Sequence, residues 1–242
     1  MSNVYLVRHG QAGTRDAYDS LSAVGKRQAR LLGEYFMSKT IRFTAAYTGA
    51  LLRQQQTAEE VRRAFADSGV SFPPLMLDHG WDEFDLGRVY QEIAPQLARE
   101  DPGFRREYEE MRAQVEANLE AHSAPIHRRW LPCDTEIVRA WIRGRYPYGG
   151  ETWNQFCERV AACRVKMIQA QRQENVIVFT SATPVAIWSA MSLDISDERV
   201  MRLAGALLNS AYSILRLRGD DLRLLSFNAV PHLDASHLCT YR

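Results

Sequence analysis

Short apolar runs alternate with helix-spaced apolar positions along most of this 242-residue chain. The runs predict buried strands at 4–7, 45–48, 74–78 and 176–180. Apolar positions three and four residues apart predict helices at 22–38, 51–66, 152–173 and 184–191. Such alternation is typical of an open, mostly parallel sheet with helices on both faces, so the pattern predicts an α/β fold.

Near the C-terminus two predicted strands follow one another directly. Residues 211–218 and 222–228 flank the turn sequence Gly219-Asp220-Asp221, which predicts a β-hairpin. This hairpin would add an antiparallel edge to the sheet.

Residues 88–147 interrupt the alternation. They contain no convincing strand, whereas Phe104, Tyr108 and Met111 recur at helical spacing among charged residues. We expect a helical cap inserted at 88–147 within a single domain that spans 1–242. Acidic residues prevail in the first half of the cap and arginines in the second. Either the two halves form solvated helices that neutralise each other, or the arginines guide an anionic substrate.

The composition, with 46% hydrophobic and 24% charged residues, indicates a folded domain. The formal net charge of +1 removes any broad attraction to nucleic acid or to an anionic membrane. The chain has neither a signal-peptide pattern at its start nor a long uncharged apolar segment. We therefore expect a cytoplasmic protein without nucleic-acid or membrane partners.

The cysteines and histidines do not have the spacing of a metal site. The four cysteines form no CxxC pair, and the six histidines form no HExxH motif. We expect free thiols, no metal and no cofactor.

The first candidate for chemistry is the triplet Arg8-His9-Gly10, directly after the first predicted strand. In a doubly wound sheet, ligands bind outside the carboxyl ends of the strands. His9 could act there as a nucleophile or base, with Arg8 supplying positive charge. On these residues alone, a hydrogen-bonded core histidine remains an open alternative.

Four further motifs follow in order: LSAVGKRQA at 21–29, YTGALLRQQQTA at 47–58, WDEFDLG at 81–87 and GGET at 149–152. Together with the first triplet, they resemble the histidine phosphatase superfamily, the phosphoglycerate mutase-like proteins. The family pattern runs LVRHG, LxxxGxxQA, SxLxRxxQTA, LxEfdfG, GGES and a late SHGG. The resemblance covers 3–94 and 148–233, and it implies the same α/β fold with a variable insertion at the cap.

The resemblance implies a role for each matching residue. His9 matches the nucleophile that becomes a phosphohistidine, and Arg8 and Arg53 match the arginines that clamp the phosphoryl group. Two guanidinium groups can neutralise the phosphoryl oxygens without a metal. Arg53 could instead lie on the surface of its helix.

Glu83 matches the acid that protonates the leaving alkoxide, a role that requires it to carry a proton. It could instead be an ordinary loop carboxylate. Asp82 and Asp85 flank it and could substitute for it.

The sequence departs from the family pattern after the strand at 176–180. Where SHGG supplies a second histidine, this chain reads Thr180-Ser181-Ala182-Thr183, so Ser181 takes the histidine position. A serine donates a hydrogen bond without charge, and losing a charged transition-state donor typically costs about 10²–10³ in rate. We still assign Ser181 to phosphate binding. His232 is expected to be structural and not a replacement.

These observations favour a metal-independent phosphomonoester hydrolase, a histidine-type acid phosphatase that acts through phospho-His9. Its expected partner is a small anionic phosphate ester, or inorganic phosphate. The alternatives are a catalytically impaired phosphate-binding relative and a phosphomutase. Gln11 after the RHG triplet and the altered position 181 argue against the mutase.

Overall fold

The computed structural model describes residues 2–13, 19–120, 132–169, 175–219 and 221–241. The strands are β1 (Ser2–Arg8), β2 (Ala45–Thr48), β3 (Leu75–Leu77), β4 (Asn175–Thr180), β5 (Tyr212–Arg218) and β6 (Asp221–Ala229). The helices are α1 (Ala23–Ser38), α2 (Leu52–Asp67), α3 (Leu86–Glu100), α4 (Pro102–Glu120), α5 (Pro132–Ile142), α6 (Trp153–Gln169), α7 (Ala182–Ser192) and α8 (Asp197–Ala206). Helices α3, α5 and α8 were not predicted individually, and residues 170–173 of the helix predicted at 152–173 lie outside the described residues.

The strands form one six-stranded sheet in the order β3-β2-β4-β1-β5-β6. Strands β3, β2, β4 and β1 pair in parallel, whereas β5 is antiparallel to β1 and β6 is antiparallel to β5. The predicted α/β class, with its mostly parallel sheet and antiparallel edge hairpin, is therefore confirmed.

Side chains of the central strands are buried on both faces of the sheet. Tyr5 and Val7 of β1 join a core cluster with residues of β4, α1 and α2. Val4 and Leu6 point to the opposite face and are fully buried as well. Burial on both faces explains why β1 is an uninterrupted apolar run and not an alternating one.

Helices α1 and α2 pack closely because a glycine lies between them. Ser22 caps α1 by accepting a hydrogen bond from the Gly25 N–H. A Cβ on Gly33 of α1 would lie 2.6 Å from the Ala64 Cβ and 2.9 Å from the Val61 carbonyl oxygen of α2. Only glycine fits between the two helix backbones at their present distance.

The chain divides into two compact units, residues 1–83 with 159–242 and residues 84–158. The second unit contains α3, α4, α5 and an aromatic cluster in which Phe84 stacks on Trp141 at 4.6 Å between ring centroids. It includes the whole segment 88–147, of which 121–131 lies outside the described residues. In the described part of the chain, no helix is both long enough and apolar enough to cross a membrane.

We expect Gly33→Ala to lower the free energy of unfolding by about 1–3 kcal/mol, because the added methyl group forces α1 and α2 apart. Gly205→Ala is the matched control. Nothing lies within 4 Å of a Cβ built there in α8, so that change should stabilise the protein by about 0.5–1 kcal/mol. Urea unfolding of both variants measures the two effects, and equal stability would contradict the close packing.

Candidate active site

His9 lies where the central strand β1 ends, beside the end of β4. Arg8 is paired with Thr180 in the parallel ladder, and the His9 N–H extends the ladder with a 2.9 Å hydrogen bond to the Thr180 carbonyl. Adjacent strands lie about 4.8 Å apart, so His9 and Ser181 are neighbours at the same edge of the sheet. The His9 carbonyl accepts bonds from the Ser210 N–H at 3.2 Å and from Asn209 Nδ2 at 3.3 Å.

The two ring nitrogens of His9 have different partners. Nδ1 lies 2.8 Å from the Gly10 carbonyl oxygen, which can only accept, so Nδ1 carries the proton. Nε2 then holds a lone pair, and it accepts a 3.2 Å hydrogen bond from Nε of Arg53. This is the tautomer that a nitrogen nucleophile needs, with Nε2 unprotonated.

Gly10 lets the loop after β1 pass directly against the start of α1. A Cβ at this position would lie 2.5 Å from the Gly25 carbonyl oxygen. The Gly10 N–H donates to Thr57 Oγ1 of α2 at 3.0 Å, and Thr57 in turn donates to the Arg53 carbonyl at 2.7 Å. The loop that carries His9 is therefore held by the helix that carries Arg53.

Arg53 lies in the first turn of α2 and is only 9% exposed. Its Nη1 forms a 2.7 Å ion pair with Oδ1 of the half-exposed Asp19. Oδ2 of Asp19 accepts the Leu52 N–H at 3.0 Å, at the N-terminus of α2. Asp19 thus orients Arg53 towards His9, and sequence reasoning missed it because the two residues are 34 positions apart.

Arg8 is also buried, with 6% of its surface exposed. Its Nη1 donates to the carbonyl oxygen of Leu207. The structure therefore brings Arg53 into direct contact with His9, whereas the guanidinium of Arg8 contacts backbone in the segment before β5.

Glu83 lies at the N-terminus of α7. Its Oε2 accepts the Thr183 N–H at 3.1 Å, in the first turn of that helix, and Ser181 is the N-cap residue. Nη1 of Arg159 donates to the carbonyls of His79, Gly80 and Asp82, and so holds the loop that leads to Glu83.

The two acids that flank Glu83 have structural partners. Asp82 Oδ1 accepts the Ala50 N–H at 2.5 Å, and its Oδ2 lies 2.8 Å from Nδ1 of His79. Asp85 caps α3 through the Arg88 N–H at 3.0 Å. Asp82 therefore holds the loops around it together, and Asp85 caps a helix.

Ser181 is buried, and its hydroxyl accepts a 2.9 Å hydrogen bond from Nε2 of Gln54. Gln54 follows Arg53 in α2 and was not among the predicted site residues. No local pattern could have revealed it, because its partner is 127 residues away in sequence.

His232 is a buried structural residue. Its Nε2 lies 2.8 Å from Ser210 Oγ, the residue whose N–H supports the His9 carbonyl. Burial lowers the pKa of His232 to about 4. Among the described residues, no group of three or more His, Cys, Asp or Glu side chains could hold a metal ion.

Comparison with known proteins places these residues in a family context. The model of the histidine phosphatase superfamily (branch 1) matches residues 4–140 and 120–230. The mitochondrial serine/threonine-protein phosphatase Pgam5 of Caenorhabditis elegans is 23% identical over 163 residues, which cover 62% of this chain and 52% of that protein. The chain spans about half the length of the curated relatives it matches.

Solved structures show a similar fold at low sequence identity. Bacillus stearothermophilus YhfR superposes with a TM-score of 0.64 and 17% identity, over 96% of this chain and 99% of that chain. A phosphoserine phosphatase mutant from Entamoeba histolytica, in complex with phosphoserine, superposes with a TM-score of 0.58 and 14% identity, over 96% and 100% of the two chains.

The low pKa of His232 predicts an acid-sensitive fold. Between about pH 6.5 and about pH 4 the unfolded chain binds a proton at His232 that the folded chain excludes, so the free energy of unfolding falls as the pH falls. The loss should reach about 3 kcal/mol. His232→Gln should flatten this dependence in urea unfolding, whereas the exposed-site control His237→Gln should keep it. An unchanged slope in His232→Gln would contradict this interpretation.

Proposed function

We propose that this chain, which belongs to the histidine phosphatase superfamily, is a metal-independent phosphomonoester hydrolase acting through a phosphohistidine on His9. The observation that carries the proposal is the environment of the His9 ring. Nδ1 is tied to the Gly10 carbonyl, and Nε2 faces the guanidinium of Arg53. A nucleophilic lone pair and a cation thus meet at one point, as an attack on an anionic phosphate ester requires.

In the first step, a phosphoryl oxygen of the substrate takes over the Nε–H of Arg53, which frees Nε2 of His9. Nε2 attacks phosphorus, the new N–P bond forms, and the bond from phosphorus to the ester oxygen breaks. Glu83 gives its proton to the departing alkoxide. Arg53 and Arg8 neutralise the oxygens of the transferring group.

In the second step, water attacks the phosphohistidine. The Glu83 carboxylate takes a proton from this water, the N–P bond breaks, and inorganic phosphate leaves. His9 returns to its neutral form with the proton on Nδ1. The Gly10 carbonyl keeps the same tautomer throughout, so the ring need not reorient between steps.

The chain represents a branch of the family in which Ser181 replaces the second catalytic histidine. Ser181 contributes a neutral donor where the family pattern has an imidazole, and charge-assisted hydrogen bonds are roughly twice as strong as neutral ones. We therefore expect slow turnover. The neutral donor at Ser181 also favours the second candidate function, a phosphate-binding relative that has lost hydrolysis.

The proposed substrate is a small anionic phosphate ester. The solved phosphoserine phosphatase with phosphoserine bound supports an ester of this size. The serine/threonine-protein phosphatase activity named for the curated relatives makes a phosphoprotein the competing substrate class. The cytoplasmic location remains a prediction, since those relatives are named as mitochondrial.

We expect His9→Ala to abolish hydrolysis of p-nitrophenyl phosphate, because it removes the atom that attacks phosphorus. The fold should survive, since His9 lies at the end of β1 and not in the sheet interior. His237→Ala, at an exposed histidine, is the matched control and should retain wild-type activity. Steady-state kinetics with and without a chelator measure both variants, and the chelator should have no effect, because arginines neutralise the phosphoryl charge.

Two results would contradict the proposal. Undiminished turnover in His9→Ala would exclude a phosphohistidine mechanism. If the chelator abolished wild-type activity and added metal restored it, a metal-independent mechanism would be excluded.

A further inference from the structure

The Gln54 side chain is fully buried, and backbone groups fix the orientation of its amide. Oε1 accepts the Leu51 N–H at 3.3 Å, and Nε2 donates to the Trp81 carbonyl at 3.2 Å. If the amide were flipped, its NH2 group would face the Leu51 N–H and its oxygen would face the Trp81 carbonyl, so both hydrogen bonds would be lost. The second N–H of Nε2 must therefore point to Ser181 Oγ, 2.9 Å away.

This contact decides what the Ser181 hydroxyl can do. Its oxygen accepts from Gln54, so its own proton has to be donated elsewhere. In the described part of the chain the Ser181 hydroxyl donates no hydrogen bond to another residue. Ser181 is only 1% exposed, so bulk water does not readily take that proton either. A buried donor without an acceptor is costly, which indicates that a ligand satisfies it.

The neighbouring glycine makes room for this arrangement. A Cβ on Gly49 would collide with Oε1 of Gln54 and lie 2.8 Å from Oδ1 of Asp82. The family pattern SxLxRxxQTA has serine at 49, and SHGG has histidine at 181. These two departures from the pattern thus involve the same side chain: the space beside Gly49 holds the Gln54 amide, and Ser181 Oγ accepts a hydrogen bond from it.

Position also favours a phosphoryl group as the acceptor. Ser181 follows β4 as His9 follows β1, and the two strand ends are joined by the bond from His9 N–H to the Thr180 carbonyl. At an interstrand spacing of about 4.8 Å, one phosphoryl group bound to His9 lies within reach of Ser181.

We infer that Gln54 is a positioning residue that orients the Ser181 hydroxyl towards a phosphoryl oxygen. Gln54 and Ser181 together then supply the hydrogen-bond donor at position 181, where the family pattern has a histidine. The Gln54 amide donates to Ser181 Oγ and thereby strengthens the hydrogen bond that the hydroxyl donates. Neither Gln54 nor Ser181 gains or loses a proton, so the pair stays neutral through both steps of the reaction. This inference rests on the proposed function, because it takes the phosphoryl group on His9 as the acceptor.

The test uses the full chain with the variants Ser181→Ala, Gln54→Glu and the combination of both. A carboxylate at 54 accepts the Ser181 proton and turns the hydroxyl away from the substrate. We expect each single variant to lower kcat for p-nitrophenyl phosphate about 10²-fold, with a smaller change in KM, by the magnitude for one lost transition-state donor. The double variant should be no slower than Ser181→Ala, because Gln54 acts only through Ser181.

Gln56→Glu is the matched control on the same helix. It adds the same charge, and its retained oxygen can still accept the Leu21 N–H that Gln56 accepts at 2.7 Å. It should lower kcat much less than Gln54→Glu. If Gln54→Glu does not fold, as judged by thermal unfolding, Gln54→Ala replaces it, since it removes the donor without adding a charge.

Vanadate binding, measured by calorimetry, separates this inference from the proposed hydrolysis. Three results would overturn the inference and leave hydrolysis by His9 in place. They are a normal kcat in Gln54→Glu, a loss of kcat in Gln56→Glu as large as that in Gln54→Glu, and a loss in the double variant equal to the product of the two single losses. A wild type that does not turn over but binds vanadate, with weaker binding in both Ser181→Ala and Gln54→Glu, would support the donor pair and overturn hydrolysis. A wild type that neither binds vanadate nor turns over would overturn both.

Discussion

The parallel pairing of β1 with β4 is the constraint on which the site depends. It aligns Arg8 with Thr180, and the His9 N–H continues the ladder by one residue. The next side chains on the two strands, His9 and Ser181, therefore emerge side by side. A shift of one residue in this register would turn His9 to the other face of the sheet and separate it from Arg53.

The guanidinium of Arg53 is already positioned beside His9 before any phosphate binds. Asp19 fixes Nη1 of Arg53, while Nε of the same guanidinium covers the lone pair of His9. A phosphate ester can replace His9 as the acceptor without breaking the Asp19 pair. The arrangement suits an anion and leaves the nucleophile hydrogen-bonded in its absence, which avoids an unsatisfied buried nitrogen.

Local signals in the sequence were enough for the framework and not for the contacts that tune the site. Apolar runs located β1 and β4, and the Ser22 cap located the start of α1, because these depend on neighbouring residues. Helix α3 lies largely within the segment predicted only as a helical cap, so it was not predicted individually, and α8 was missed because it is short. Asp19 and Gln54 were missed for a different reason: each acts through a partner that only the tertiary fold brings near.

In the proposed mechanism the phosphoryl group passes through Nε2 of His9. The most direct test is to quench the wild-type protein during turnover of p-nitrophenyl phosphate and to map the modified peptide by mass spectrometry. We predict one phosphoryl group on His9, lost in acid and stable in alkali. Turnover that leaves His9 unmodified while another residue carries the phosphoryl group would contradict the account.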